Sequence, residues 1–351
     1  MAERGAGGRI DLMSAPILAI ETSCDETAAA VVAGRRVLSS IVASQADLHA
    51  PYGGVVPEVA ARHHLGTVNA VVDEALAAAG ISLRDVRSIA VTQRPGLIGA
   101  LLIGVATAKA IAYAARKPLV MVDHLHGHIA ATWLDPVALD PPFVSLVASG
   151  GHTRLDLVTD LRAPRLLGQT IDDAAGEAID KGARLLGLGY PGGPALERLA
   201  ATGSRTAHRF PVGLRGPGTR DFSFAGVKTA LLYAIRERAE APEGAERADL
   251  AASYQEAVLQ PLAERLIAAA VDEDVPAVAL GGGVAANGRL RELVGEGAAA
   301  AGVRVAVPDR SLCTDNAAMI GAAAQFSDAI AWPDYLGLDA VATAPPGGIA
   351  A

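Results

Sequence analysis

"PFVSLVASGGHTRLDLV", residues 142–158, decides how the chain is to be read. It runs as a β-rich stretch, a small polar turn and a second β-rich stretch. The chain opens on the same design. "ILAIETS" (17–23) enters a polar turn, and "TAAAVV" and "RVLSSIVA" follow as further strands. No short-period repeat accompanies this coarse duplication. Two such openings, each followed by long helical runs, predict two α/β lobes facing a cleft.

The remaining patterning agrees. "PEVAARHHLGTVNAVVDEALAAAG" (57–80) reads as a helix with proline at its start and Gly80 at its end. "SIAVTQ" (88–93) and "PLVMV" (118–122) read as strands. Helical runs follow near 173–187, 194–202, 224–238 and 246–270, and "PAVALGGGVAANGRL" (276–290) reads as strand, glycine turn and helix start. A final helix is expected from near Asp315. Residues 1–15 read as a flexible leader and 337–351 as a disordered tail. One lobe is expected over 16–130 plus 309–336, the other over 131–308.

With 351 residues, 51% of them hydrophobic and 19% charged, a sizeable core is expected. A net charge of −8 excludes a broadly basic nucleic-acid grip and leaves room for a local patch. Arg209, Arg215, Arg220 and Lys228 could form one, or a solvated surface. Cys24 and Cys313 offer no disulfide framework, which fits a reducing cytoplasm. "GLIGALLIGVATAKAIAYAA" (96–115) has the length of a membrane span, but Lys109 and its small residues favour a helix packed on a sheet. The expectation is a soluble protein without a membrane partner.

Four segments look like ligand loops. "ETSCDET" (21–27) crowds Glu21, Asp25 and Glu26 into a turn, where carboxylates can hold water or metal; alone it is equally a polar hairpin tip. "ASGGHT" (148–153) has Ser149, Gly150 and Gly151 for close backbone approach, without the spacing of a nucleophile elbow. "LGGGVAAN" (280–287) exposes amides before a helix, with Gly282 and Gly283 in the turn. It does not meet the dinucleotide fingerprint, because Ala286 stands where the third glycine would fall. In "HLHGH" (124–128), His124 and His128 share one helical face while His126 points away. Two histidines need a third ligand, and Asp315 in "CTDNAAMIG" (313–321) is a candidate whose other role is a helix N-cap. The His-Glu-x-x-His protease pattern is absent, since Leu125 follows His124.

Taken in order, "ETSCDET", "YGGVVPE" (52–58), "PGLIGALLIG" (95–104), "HLHGH", "SGGHT", "DDAAGEAIDK" (172–181), "GYPGGP" (189–194), "DFSFAGVKT" (221–229), "GGGVAAN" and "CTDNAAMI" resemble the bacterial TsaD family of tRNA N6-adenosine threonylcarbamoyltransferases. The resemblance runs from about Ile17 to Pro333. It implies the two-lobed α/β fold of actin, Hsp70 and the sugar kinases, with an interlobe cleft. It also implies an acyltransferase that moves threonylcarbamoyl from threonylcarbamoyl-AMP to adenosine 37 of tRNAs reading codons that begin with A. Carried onto matching positions, His124, His128 and Asp315 would bind one divalent ion per subunit, Fe2+ first and Zn2+ as the alternative. Val147, Ala148, Ser149, Gly150, Gly151, Asp180, Gly193 and Asn287 would bind the adenylate, with Asp25, Glu26 and Glu177 in support. The implied partners are the tRNA anticodon loop, a TsaB-like paralogue and a TsaE-like ATPase.

The chain departs from the family pattern at Gln93 and Arg94, where a small residue and glycine are usual, and at His126, where many members have glutamate. Three other readings share parts of this logic: a small-molecule O-carbamoyltransferase, a sugar-kinase-like or chaperone-like ATPase, and a scaffold without catalysis. The paired histidines speak against the last two.

Overall fold

The structure, a computed structural model, describes residues 15–343 except 217 and 239. The expected leader, apart from Ala15, and the tail beyond 343 lie outside the described residues.

Two mixed sheets carry the fold. The first is built from β1 (Ile17–Glu21), β2 (Glu26–Ala33), β3 (Arg36–Ser44), β4 (Ser88–Arg94), β5 (Leu119–Asp123) and, at its edge, β11 (Ala329–Ile330), in the order β11-β5-β4-β1-β2-β3. The second is β6 (Phe143–Ala148), β7 (Thr153–Val158), β8 (Arg165–Gln169), β9 (Ala277–Gly281) and β10 (Arg304–Ala306), in the order β10-β9-β6-β7-β8. In each sheet an antiparallel hairpin leads into parallel neighbours: β1 pairs with β2 antiparallel and β4 parallel, and β6 pairs with β7 antiparallel and β9 parallel. Strands β8, β10 and β11 escaped the sequence reading because each is short and partly exposed.

The helices are α1 (Ala46–His49), α2 (Pro57–Ala79), α3 (Ile98–Ala115), α4 (His124–Ala130), α5 (Ala175–Leu185), α6 (Gly192–Ala200), α7 (Ala225–Arg236), α8 (Gly244–Asp272), α9 (Gly288–Ala301), α10 (Arg310–Cys313) and α11 (Ala317–Ala323). Burial divides them by period. In β1, Leu18 and Ile20 face the core shared with α2 and α3, while Ile17 and Ala19 face the core around α4 and α11. That second core also takes in Phe143, Val147, Ala277 and Ala279 of the other sheet, so α4 and α11 are packed between the two sheets. The far face of the second sheet is covered by α5, α6, α8 and α9. Strands covered on both faces need continuous apolar runs, which "ILAI" and "PFVSLVA" supply.

The abundance of alanine and glycine has its reason here. A Cβ on Gly127 of α4 would lie 2.9 Å from Ile320 Cδ1, and one on Gly321 of α11 would lie 2.6 Å from Val32 Cγ2. These two glycines let α4, α11 and the sheet approach closely, with His124 and His128 beside Asp315, two residues before α11. Helix α3 is long and apolar enough by composition to cross a membrane. It packs one face, Ala100, Leu101, Gly104, Val105, Ala108 and Ala112, against the sheet.

Residues 338–342 lie against the β4–α3 loop and α3: the Val341 amide donates to the Gln93 carbonyl, the Gly96 amide to the Ala342 carbonyl, Gln93 Nε2 to the Asp339 carbonyl and Lys109 Nζ to the Leu338 carbonyl. Leu338 and Ala340 pack onto the α2–α3 core, and open backbone groups of the loop supply partners. Gln93 is thus a tail contact.

Arg94 has an equally definite place. Its Nε lies 3.3 Å from Asp123 Oδ2, and Asp123 caps α4 by accepting from the Leu125 and His126 amides. Replacing Arg94 with glycine removes a cation from a carboxylate that is 1% exposed. Arg94→Gly should lower stability by about 1–3 kcal/mol in urea denaturation; an unchanged midpoint would mean the pair contributes nothing.

Candidate metal centre and cleft

The parallel strands place the site. In the first sheet β1, β4 and β5 run parallel, and their carboxyl ends carry Glu21, Arg94 and Asp123–His124. In the second, the carboxyl ends of β6 and β9 carry Ala148 and Gly281. Open α/β sheets bind ligands at such ends, because strand-to-helix loops there expose backbone amides.

At the centre, His124 Nε2 lies 3.5 Å and His128 Nε2 3.3 Å from Asp315 Oδ1. One ligand atom from each of the three lies within 4.8 Å of the others. The imidazole centroids are 4.7 Å apart and nearly perpendicular, as expected of side chains one turn apart converging on a point. His128 is fully buried; its Nδ1 has no hydrogen-bond partner among the described residues, and its Nε2 faces only Asp315. An orphaned buried imidazole is costly unless something completes it, and two imidazoles with one carboxylate suit a divalent first-row ion. The donor set fits a metal.

Asp315 does not cap the last helix, which was its other expected role. Asn316 does, accepting from the Met319 amide, and this leaves the Asp315 carboxylate free to face the histidines. His126 points away, as expected: its Nε2 meets the Leu161 carbonyl at 2.6 Å.

The charges interlock. Burial opposes ionisation of His124, but Asp315 and Glu21 outweigh it and push the imidazole up to about 9. Burial would raise Asp315, yet His124 and His128 hold it well below the carboxylate range. His128 is pushed down by burial. His152, in the glycine loop after β6, is pushed down to about 4 by burial and by His124 and His128. Nothing in the spacing of "ASGGHT" distinguishes His152 from an ordinary loop residue.

Asp25 and Glu26 follow β1 at the same mouth. Burial, then the charges of Asp315 and Asp25, push Glu26 up to about 10, so the folded protein holds its proton. A pKa raised on folding lends stability that is fully present below the unfolded value near 4.5 and is lost as pH climbs toward 10. Glu26→Gln should therefore flatten the fall in metal-free stability between about pH 5 and pH 9. Parallel denaturation profiles for parent and variant would contradict this. Asp25 reaches across the cleft, with Tyr190 Oη 3.4 Å from its Oδ2, and Arg184 bonds to the Gly53 carbonyl. Tyr190 and Arg184 were not predicted; contacts between segments so distant leave no local pattern.

The remaining candidates differ in their surroundings. Ala148, Ser149 and Gly282 come together: a Cβ on Gly282, at φ +83°, would lie 2.3 Å from the Ala148 carbonyl oxygen, and the Gly176 amide donates to Ser149 at 3.1 Å. Gly150, Gly151 and Gly283 face open space on their Cα side. Val147 is a fully buried core residue, so only its backbone is available. Asp180 accepts from the Gly192 amide next to Gly193, and burial raises its pKa. Asn287 is engaged within the protein: its Oδ1 caps α9 and its Nδ2 donates to Gln255. Glu177 pairs with Lys181 at 2.7 Å on α5.

Of the four basic residues considered for a patch, Lys228 pairs with Asp173, and Arg220 with Glu273 and Asp272. Arg209 and Arg215 are exposed.

The fold so arranged is that of the actin, Hsp70 and sugar-kinase class, and solved structures share it. HypF from T. kodakarensis superposes with a TM-score of 0.60 at 18% identity, covering 88% of this chain and 47% of that one. Component A of (R)-2-hydroxyglutaryl-CoA dehydratase from Acidaminococcus fermentans gives 0.53 at 15%, covering 90% and 98%. The family model described as TsaD, tRNA N6-adenosine threonylcarbamoyltransferase, matches residues 36–322. Curated proteins of that name from Cyanothece sp. (53% identity; 88% of this chain, 90% of that protein) and Trichlorobacter lovleyi (50%; 94% and 96%) match along nearly their whole length. The chain belongs to the TsaD family.

Proposed function

We propose that the chain transfers the threonylcarbamoyl group from threonylcarbamoyl-AMP to N6 of adenosine 37 in tRNAs reading codons that begin with A, releasing AMP. The observation that carries this reading is the His124–His128–Asp315 cluster at the strand ends of a TsaD-family fold. Relatives of about 50% identity speak against the small-molecule carbamoyltransferase and kinase-like alternatives.

His124, His128 and Asp315 would hold one Fe2+, with Zn2+ as the alternative. Such an ion supplies Lewis acidity toward the carbamoyl oxygen or the phosphate. The backbone of Val147–Gly151 and of Gly282–Gly283 supports the adenylate, with Asp180, Gly193 and Asn287 around it. The N6 lone pair of adenine is delocalised into the ring, so the acceptor needs an activated donor, and the carbamoyl–phosphate anhydride meets that need. As the N6–carbon bond forms and the carbon–oxygen bond to AMP breaks, a proton must leave N6. Glu26, held protonated by its surroundings, is not its acceptor.

In this reading residues 16–130 with 309–336 form one lobe and 131–308 the other, and the enzyme works in the cytoplasm. Arg209 and Arg215 are candidate phosphate contacts for the tRNA. An acidic chain needs help to dock tRNA, which agrees with a TsaB-like paralogue and a TsaE-like ATPase as partners and a separate synthase for the donor. The test supplies the purified chain and those partners with labelled threonylcarbamoyl-AMP and unmodified tRNA. Nucleoside digestion should show label on adenosine, and label released only as hydrolysed donor would refute the reading.

A further inference from the structure

Glu21 is the last residue of β1, is fully buried, and has no counterpart in the ligand set above. A buried carboxylate costs several kcal/mol unless its oxygens are met. Its neighbours are therefore informative. Oε1 accepts from the Ser23 amide, and Oε2 accepts from the Thr92 hydroxyl. Oε2 also lies 3.2 Å from His124 Nδ1, which is 3.1 Å from Ser23 Oγ. Ionised glutamate can only accept, so the hydrogen between Glu21 and His124 sits on Nδ1. That keeps a hydrogen on Nδ1, so Nε2, the atom facing Asp315, is the nitrogen that would give its lone pair to an ion.

We propose that Glu21 is a positioning residue for the metal centre, holding His124 in the tautomer and orientation that present Nε2 to the ion. This rests on the metal reading of His124, His128 and Asp315. Two further consequences follow from the geometry. A divalent ion with two neutral imidazoles and Asp315 leaves one positive charge in a buried site, and Glu21 cancels it. Through the Ser23 amide the same carboxylate also ties His124 to the turn that carries Asp25 and Glu26. A shift at the ion is thereby linked to the carboxylates at the cleft mouth.

The test is the affinity of the full-length protein for Zn2+, measured by chelator competition, together with thermal unfolding of the metal-free protein. In Glu21→Gln the amide can donate to Nδ1 and drive the proton to Nε2, which blocks ligation. Affinity should fall about 10- to 100-fold, the range of outer-sphere carboxylate substitutions. Glu21→Asp keeps the charge but is one methylene shorter, and should also bind more weakly than the parent; it serves if Glu21→Gln does not fold. A role confined to folding would lower the unfolding temperature and leave Zn2+ affinity unchanged, which would overturn the proposal. If the parent and His128→Ala bind Zn2+ equally, the metal reading itself fails. If His128→Ala loses Zn2+ while both Glu21 variants bind like the parent, only the role of Glu21 fails.

Discussion

His124→Ala is expected to abolish threonylcarbamoyl transfer, by about 10^3-fold or more, while the protein remains folded. The substitution removes one of three ligand atoms gathered within 4.8 Å of one another. A two-ligand remnant would hold a divalent ion poorly, and the Lewis-acid contribution of several kcal/mol would go with it. The fold should survive, because α4 keeps its Asp123 cap and its packing through Leu125, Ile129 and Ala130. Bound metal should fall in parallel with activity. A variant that transfers at the parent rate after rigorous metal removal would refute the metal centre.

Gly282→Ala carries the second large effect. At φ +83° a side chain costs about 1–3 kcal/mol. The new Cβ would also meet the Ala148 carbonyl at 2.3 Å, so the two glycine loops must separate. Both loops end neighbouring parallel strands, β6 and β9, and both belong to the proposed adenylate site. Calorimetry with a non-reactive threonylcarbamoyl-AMP analogue should show affinity lowered about 10- to 100-fold, roughly 1.4 kcal/mol per decade. Parent-like affinity would remove these loops from the site.

Much of this was legible in the sequence. The doubled strand–turn–strand openings at 17–32 and 142–158 became the central hairpins of the two sheets. The spacing of His124 and His128 gave the shared face, and the odd position of His126 gave its separation. The helix over 57–80 begins at Pro57 and ends with Gly80 in the left-handed region. What failed has physical causes. The composition from Gly337 onward gives no sign of the contacts that residues 338–342 make with Gln93, Gly96 and Lys109. Asp315 and Asn316 are both good capping residues, and sequence cannot say which side chain turns into the helix and which into the cleft.

By itself the sequence determined the long helices and the buried strands, the glycine turns and the two histidines, since each follows from local periodicity or from residue chemistry at fixed spacing. Only the tertiary structure decided that Asp315 meets them, that Glu21 stands behind His124, that Arg94 supports the cap of α4, and that Tyr190 spans the cleft to Asp25. These partners lie tens to hundreds of residues apart. They meet because α4 and α11 are packed between two sheets at a distance that Gly127 and Gly321 permit.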